Sequence, residues 1–290
     1  MKTKILLIIA TMLMSVSCEL ALIIDLGTVS GEPSDVFTAT TECEQLTKTS
    51  LSSYPDNNGC YSLQWDSNDA ISIFDGTNTA VYTTDDYYTS TADFVRKEGK
   101  ISNSAAQYVA FYPSTITTKN MILPATQNYI DGDIENFPMR AVSDTKELEF
   151  KNLCGILRFS LKAEETMQVK IATISLSSDK GMSGDFTVGA DDAAVVSGKD
   201  GVVLNCAEPK RLYSSSATDF NVIVPQGDYN PLKVKICDAD GNEINLVSQS
   251  TVSVNRSGIT RISLTLSKST FESSLETIPI TDADVEFVER

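Results

Sequence analysis

A chain of 290 residues with 41 % hydrophobic content carries enough apolar material for two cores at roughly 100–150 residues per domain, so two domains are expected. Its 23 basic and 39 acidic residues give a formal charge of −16, which repels nucleic acid and anionic lipid and removes both from the expected partners. Histidine is absent altogether, which excludes Ser-His-Asp and Cys-His catalysis, His-ligated zinc and imidazole pH switching, and no catalytic residue, metal or cofactor is expected.

Residues 1–18 read as a targeting segment. Lys2 and Lys4 precede an apolar run from Ile5 to Met14, and Ser15-Val16-Ser17-Cys18 follows, the order of an export signal that ends in small residues before a cysteine. This is similar to a bacterial lipoprotein signal, with Cys18 as the residue expected to carry lipid, palmitate included. The alternatives are a signal peptide cut elsewhere and a membrane span from Ile5 to Ile24. Glu19 opposes the span, because an acid within one costs roughly 2.5–3.5 kcal/mol near the centre and less toward an end. Five further cysteines stand at 43, 60, 154, 206 and 237. In an exported chain Cys43 with Cys60 and Cys206 with Cys237 are candidate bridges that leave Cys154 over; equally, all five are small buried or loop residues. None has CxxC spacing, so metal or redox use is not expected.

Residues 19–59 are rich in Ser, Thr, Glu and Pro and read as a tether with one strand around Val36-Phe37. Residues 60–146 then show strands in quick succession, at Tyr61 to Trp65, Ala70 to Phe74, Ala80 to Thr83, Phe94 to Arg96, Gln107 to Tyr112 and Met121 to Leu123. Turn residues punctuate them, as in Asp75-Gly76-Thr77-Asn78 and Glu98-Gly99-Lys100, and the spacing predicts an antiparallel sandwich. Ala125 to Asp144 lacks sustained periodicity and reads as a closing loop and linker.

A second domain, 147–268, is expected around Phe150 to Leu161. Leu157, Phe159 and Leu161 alternate with Arg158 and Ser160, the period of a half-buried strand, and Asn152 and Gly155 read as a φ > 0 bend feeding it. Val169 and Ile171 have one parity and Ile174 and Leu176 the other, which predicts a β-bulge near Ala172-Thr173. Phe220, Val222 and Val224 alternate, as do Leu232, Val234 and Ile236 before a hairpin turn at Asp240-Gly241, and Ile262, Leu264 and Leu266 close the pattern. The acidic stretch Asp238 to Glu243 lacks the ligand spacing of an EF-hand and reads as that turn. Asp85-Asp86-Tyr87-Tyr88 and Asp191-Asp192 are open to sugar binding or hydrolysis, with a solvated loop the blander reading of each. No paired acids stand out for a carboxylate glycosidase. In the tail, 269–290, Ile278, Ile280, Val285 and Phe287 partly alternate and suit a strand donated to a groove; an edge strand of the same domain and a tail without fixed structure are the alternatives.

Trp65 with Asp69 to Phe74, then Tyr108 to Pro113, then Leu123 to Gln127, Phe150 to Leu161, and Phe220 to Pro225 with Gly227 and Leu232, resemble in their order and spacing the fimbrillin family. These are lipoprotein precursors of pilus subunits in Gram-negative anaerobes, and the similarity covers nearly the whole chain beyond about position 60. The resemblance implies an all-β fold of two transthyretin-like antiparallel β-sandwich domains and export as a surface-exposed outer-membrane lipoprotein, held to the membrane through its lipid alone. It further implies assembly into a fimbrium for cell adhesion, by donation of a strand from one subunit to the next. Partners would be other fimbrial subunits, in a homo- or hetero-polymer, with this chain a structural, tip or anchor subunit. The alternative function is a monomeric surface lipoprotein that binds a glycan or a host protein. In this family the vacancy for the donated strand is implied to arise when a protease removes an N-terminal strand after a basic residue. Lys48 is the sole basic residue between Cys18 and Tyr61, so it is the candidate cleavage site, against the reading of an ordinary loop lysine. Removing Phe271 to Arg290 would then leave both domains folded while abolishing association.

Overall fold

The computed structural model describes residues 35–42, 64–131, 133–164, 169–267, 271 and 277–288. Strand periodicity organises these residues. Val36–Thr41 (β1) buries Phe37, Ala39 and Thr41 in alternation. Ala70–Phe74 (β2), Thr79–Thr83 (β3), Thr91–Gly99 (β4) and Tyr108–Tyr112 (β5) follow where alternation and turn residues predict them. The chain then leaves for two short strands, Ile122–Leu123 (β6) and Thr126–Asn128 (β7), and returns through Met139–Ser143 (β8) and Glu147–Asn152 (β9). Two strands therefore lie in the stretch expected to be a loop. β7 is Thr-Gln-Asn and carries no apolar signal, while β8 alternates for only five residues, with Met139 and Ala141 buried.

The first seven-stranded sheet closes on itself in the order β1-β4-β3-β2-β5-β8-β9. β1 makes the closure, pairing antiparallel with β4 and parallel with β9. A closed ring differs from the open sandwich expected for this half; with β1 bonded along both sides, no strand edge is left unpaired. β9, which the composition assigned to the second half, pairs with β8 and β1 and sends Leu148 and Phe150 into the first core. Trp65 is fully buried there, its ring edge-on to Phe94, Tyr112 and Phe150 at 5.0, 5.5 and 5.4 Å.

Cys154–Ala163 (β10) is the longest buried strand of the second half, followed by Lys170–Ser177 (β11), Gly184–Val188 (β12), Ala194–Val196 (β13) and Val202–Arg211 (β14). Thr218–Pro225 (β15), Gly227–Tyr229 (β16), Lys233–Asp238 (β17), Glu243–Ser248 (β18), Val252–Val254 (β19) and Ile259–Leu266 (β20) come next, and Thr277–Ile280 (β21) and Val285–Val288 (β22) end the chain. A four-stranded sheet, β15-β10-β20-β22, and a six-stranded sheet, β21-β18-β17-β11-β14-β7, enclose one second core. Leu157, Phe159, Phe220, Val222 and Ile262 enter it from the first sheet, and Ile174, Leu204, Val234, Ile236 and Leu246 from the second. The predicted bulge is present, since the register of β11 shifts between Ile171 and Thr173 against both β14 and β17. The hairpin after β17 turns at Gly241, φ +86°.

The junction differs from the expected bend. Neither Asn152 nor Gly155 has a positive φ, and Gly155 lies within β10. Glycine is needed there for close approach: a Cβ would stand 2.2 Å from the Asn255 carbonyl oxygen. β10 serves both cores, with Cys154 and Ile156 in the first and Leu157, Phe159 and Leu161 in the second. On its outer face Arg158 is buried but satisfied, donating from Nε to Asn221 Oδ1 at 2.8 Å.

Candidate functional site

β1 is the element whose position most invites a function. It is six residues long, and every strand it touches comes after it in the chain. Its hold is nevertheless extensive. Phe37 is fully buried and meets the rings of Tyr82 and Tyr108 edge-on at 5.0 and 4.9 Å. The Trp65 indole Nε1 donates to the Ala39 carbonyl at 3.0 Å. At the start of the strand the Tyr82 hydroxyl donates to Asp35 at 2.8 Å, and Arg96 pairs with the same carboxylate at 2.7 Å. Burial, with the Asp35 carboxylate beside it, pushes the Tyr82 phenol well above the usual tyrosine range, so it stays a donor at any physiological pH.

The far end of β1 is tied across the junction. Arg256 clasps the Glu42 carboxylate with both terminal nitrogens, Nη1 at 2.7 Å and Nη2 at 2.9 Å, and the Asn152 amide adds a third donor at 2.9 Å. The Asn152 side chain continues the network to the Ser257 hydroxyl at 3.0 Å. Sequence reasoning missed this latch. Glu42 and Arg256 are 214 positions apart in a chain with many charges, and neither sits in a pattern that names its partner. The connection from Glu42 to Trp65 contains Lys48, which lies outside the described residues, as do Cys18, Cys43 and Cys60.

The tail packs on its own chain. Ile278 and Ile280 lie on β21, in parallel register with Leu246 and Ser248, and Val285 and Phe287 lie on β22, antiparallel to Ile262 and Thr260. Ile280 and the preceding Phe271 are buried in the second core, whereas Phe287 is 37 % exposed. β21 and β22 are thus the outermost strands of the two facing sheets, joined by a 3-10 turn at Asp282–Asp284 in which Asp284 accepts from the Thr281 amide and hydroxyl. Glu286 reaches Arg261 at 3.2 Å, and Ser250 donates to Asp282.

The remaining sequence candidates have structural employment. Cys206 and Cys237 are free thiols, the alternative to the candidate bridge between them; they stand on β14 and β17, on opposite sides of β11, where Thr173 pairs with Asn205 on one side and Cys237 on the other. Two strand spacings of about 4.8 Å exceed the usual Cα separation of a disulfide. Cys154 is a free, fully buried thiol whose pKa burial pushes far up. Asp238 caps the hairpin turn, accepting from the amides of Asp240 and Asn242 at 2.9 and 2.8 Å. Asp192 pairs with Lys151 at 3.1 Å, while Asp191 accepts from Gln226 at 2.8 Å. Tyr87 and Tyr88 are exposed and stacked edge-on at 4.0 Å. Among the described residues there is no group of three or more metal-ligating side chains, and no helix is long and apolar enough to cross a membrane.

No protein-family model matches the chain, and no curated protein matches it. Solved structures do. A candidate cell adhesion protein from Bacteroides ovatus is similar over 87 % of this chain and 95 % of its own, with 13 % identity and a TM-score of 0.53. A candidate cell adhesion protein from Bacteroides uniformis is similar over 77 % of this chain and 91 % of its own, at 17 % identity and a TM-score of 0.45. The tip fimbrial protein Mfa3 from Porphyromonas gingivalis is similar over 80 % and 94 % respectively, at 8 % identity and a TM-score of 0.33. The structural neighbours of this all-β chain are thus cell adhesion and fimbrial proteins of Bacteroides and related bacteria, and the likeness to the Bacteroides ovatus protein is one of fold.

Proposed function

We propose that the chain is a structural or accessory subunit, tip or anchor, of a surface fimbria that assembles by strand donation and serves cell adhesion. The observation that carries this reading is the placement of β1, a short strand inserted between β4 and β9 and joined to the rest only through the segment that holds Lys48. Cleavage after Lys48 followed by loss of β1 would leave the seam with two unpaired edges. It would also leave a slot lined by the apolar residues that Phe37 and Ala39 now cover, the kind of vacancy an extended segment from another subunit fills with main-chain bonds and buried side chains. The name of the Bacteroides ovatus fold neighbour agrees with an adhesive role. In this reading the neighbouring subunits are the partners, Cys18 carries the lipid that holds the precursor at the outer membrane, and the two halves correspond to the two transthyretin-like domains.

Two comparisons test it. Electron microscopy of surface filaments from cells with and without the gene reads assembly directly, and filaments unchanged in number and length in the deletion strain, tip and base included, would remove the fimbrial role. Metabolic labelling with a palmitate precursor reads anchoring: Cys18→Ser should lose the label and leave the membrane fraction, and equal labelling of variant and parent would remove the lipoprotein reading.

A further inference from the structure

A cavity of about 400 Å³ opens beside the junction of the two halves, within the ~300–1,000 Å³ range of small-molecule sites. Neither β1 nor the tail contributes to it. Its floor is aliphatic and buried, formed by Ile116, Leu123, Ile134 and Ile223. Its exposed rim is mainly polar, formed by Thr115, Asn120, Thr126, Asn128, Glu135 and Asn136, with the apolar Ile122 and Pro124 beside them. The walls are fixed before any ligand arrives. The Gln127 side-chain amide bridges β7 to β15, donating to the Ile223 carbonyl at 2.8 Å and accepting from the Ile223 amide at 2.9 Å. Asn221 donates to the Asp133 carbonyl at 3.2 Å, and the Ser72 hydroxyl holds the Ile116 carbonyl at 2.5 Å. Asn136, which also lines the cavity, sits in the left-handed region at φ +56°.

Most of the side-chain hydrogen-bonding capacity of the rim is unengaged, the exception being Asn120, whose amide donates to the Thr115 carbonyl at 3.1 Å. Among the described residues, the side chains of Thr115, Thr126, Asn128, Glu135 and Asn136 make no hydrogen bond within the protein, and all five residues line the cavity. Charge narrows the ligand further. No lysine or arginine lines the cavity and Glu135 is its one charged residue, so a carboxylate, phosphate or sulfate would enter without a counter-charge and against a like one. A purely apolar ligand would bury the rim amides and hydroxyls without partners. What remains is a compact uncharged molecule that offers an apolar face to the floor and donor and acceptor groups to amides and hydroxyls.

We propose that this cavity is a binding site for a neutral saccharide of one or two units. Ring C–H groups, or the methyl of an N-acetyl substituent, rest on Ile116, Leu123 and Ile223. Hydroxyls and the acetamide amide exchange hydrogen bonds with Asn128, Asn136 and Thr115, and Glu135 accepts from a pair of neighbouring hydroxyls. The proposal stands apart from strand donation, since an unassembled subunit carries the complete cavity.

The test is calorimetric titration, with saturation-transfer NMR, of the chain from Glu19 against N-acetylglucosamine, N-acetylgalactosamine, galactose and lactose, with sialyllactose as the charged counterpart. Saturable binding of at least one neutral sugar is expected. Asn128→Ala, which removes an exposed rim amide, and Thr126→Trp, which fills the opening from an exposed strand position, should each weaken that binding about tenfold or more while leaving the melting curve unchanged. Absence of saturable binding by every neutral sugar, tighter binding of sialyllactose than of lactose, or an affinity unmoved by both substitutions overturns the site. Should Thr126→Trp lower the melting temperature, Asn128→Ala alone decides.

Discussion

Gly155 shows how a single residue sets the junction. Its added methyl would lie 2.2 Å from the Asn255 carbonyl oxygen and 2.6 Å from the Val254 side chain, and the nearer of these is backbone that cannot rotate away. The loop that would have to retreat carries Arg256, the guanidinium that clasps Glu42. Gly155→Ala is expected to destabilise the protein by ~1–3 kcal/mol or more in urea unfolding, and an unchanged midpoint would show that the junction is looser than this packing implies. The residue was legible as special, since a glycine opens a run of buried β residues, but the reason was not. A positive φ and a close approach leave the same letter in a sequence, and only the position of the 255–258 loop separates them.

Asp75 acts at the same scale through charge. Its carboxylate accepts from the amides of Thr77, Asn78 and Ser102 at 2.8, 2.7 and 2.7 Å, closing the β2–β3 turn and tying it to the loop after β4. Desolvation works to raise its pKa, and the backbone amides together outweigh it, so the carboxyl titrates below the usual aspartate value. A depressed folded pKa means that the contribution is present in full above the unfolded value of about 3.9 and is lost as pH falls through the folded one. Asp75→Asn should therefore be less stable than the parent at neutral pH, with the gap narrowing only below about pH 4. Urea midpoints measured across that range check it; a gap that is constant with pH would mean that the carboxylate charge contributes nothing.

Among the elements, the C-terminal strands combine two kinds of attachment. Phe271 and Ile280 are buried in the second core, but β22 leaves Phe287 partly exposed and holds on through one side of β20 and the Arg261–Glu286 pair. Ending the chain at Thr281 is expected to cost on the order of 1–3 kcal/mol, the loss of a half-covered edge strand. Ending it before Phe271 adds the removal of two buried side chains and should cost about 3 kcal/mol or more beyond that, enough to lower the melt of the second half visibly. A truncation before Phe271 that leaves folding untouched is thus no longer expected. Differential scanning calorimetry of the two truncations separates them, and equal melts would show that Phe271 and Ile280 add little to the core. The elements also show what patterning can carry. The bulge in β11 was readable because Ile171 and Ile174 change parity within one strand. β7 was not, because Thr-Gln-Asn has no apolar period and is held as a strand by parallel pairing with Val203 to Asn205. The ring closure was equally hidden, since β1 alternates like any half-buried strand and nothing local indicates that it bonds on both sides.

For the whole molecule, the hold on β1 decides how donation could proceed. Severing the chain after Lys48 removes one covalent link but none of the contacts described: Phe37 stays enclosed by Tyr82 and Tyr108, Ala39 keeps its bond from Trp65, and Glu42 stays in the grip of Arg256. Burying Phe37 alone is worth roughly 1.5–3 kcal/mol, and breaking a partly buried, bidentate carboxylate–guanidinium pair by removing one partner costs on the order of 1–3 kcal/mol. A nicked subunit should therefore retain its N-terminal fragment until a competing strand displaces it, which keeps apolar edges covered before assembly. Limited digestion with a Lys-specific protease, followed by size-exclusion chromatography and mass spectrometry, is expected to show the fragment ending at Lys48 co-eluting with the remainder. Glu42→Gln, which leaves Arg256 facing a neutral amide, should speed release of the fragment on addition of a synthetic peptide spanning Thr277 to Val288, whereas Glu98→Gln, exposed on the part of β4 that pairs with β3 beyond the reach of β1, should not. Spontaneous loss of the fragment from the nicked parent would mean that β1 is held mainly by its covalent link. If Glu42→Gln released it no faster than the parent, the latch would have no part in the exchange, and the six-residue strand and its buried Phe37 would have to set the rate alone.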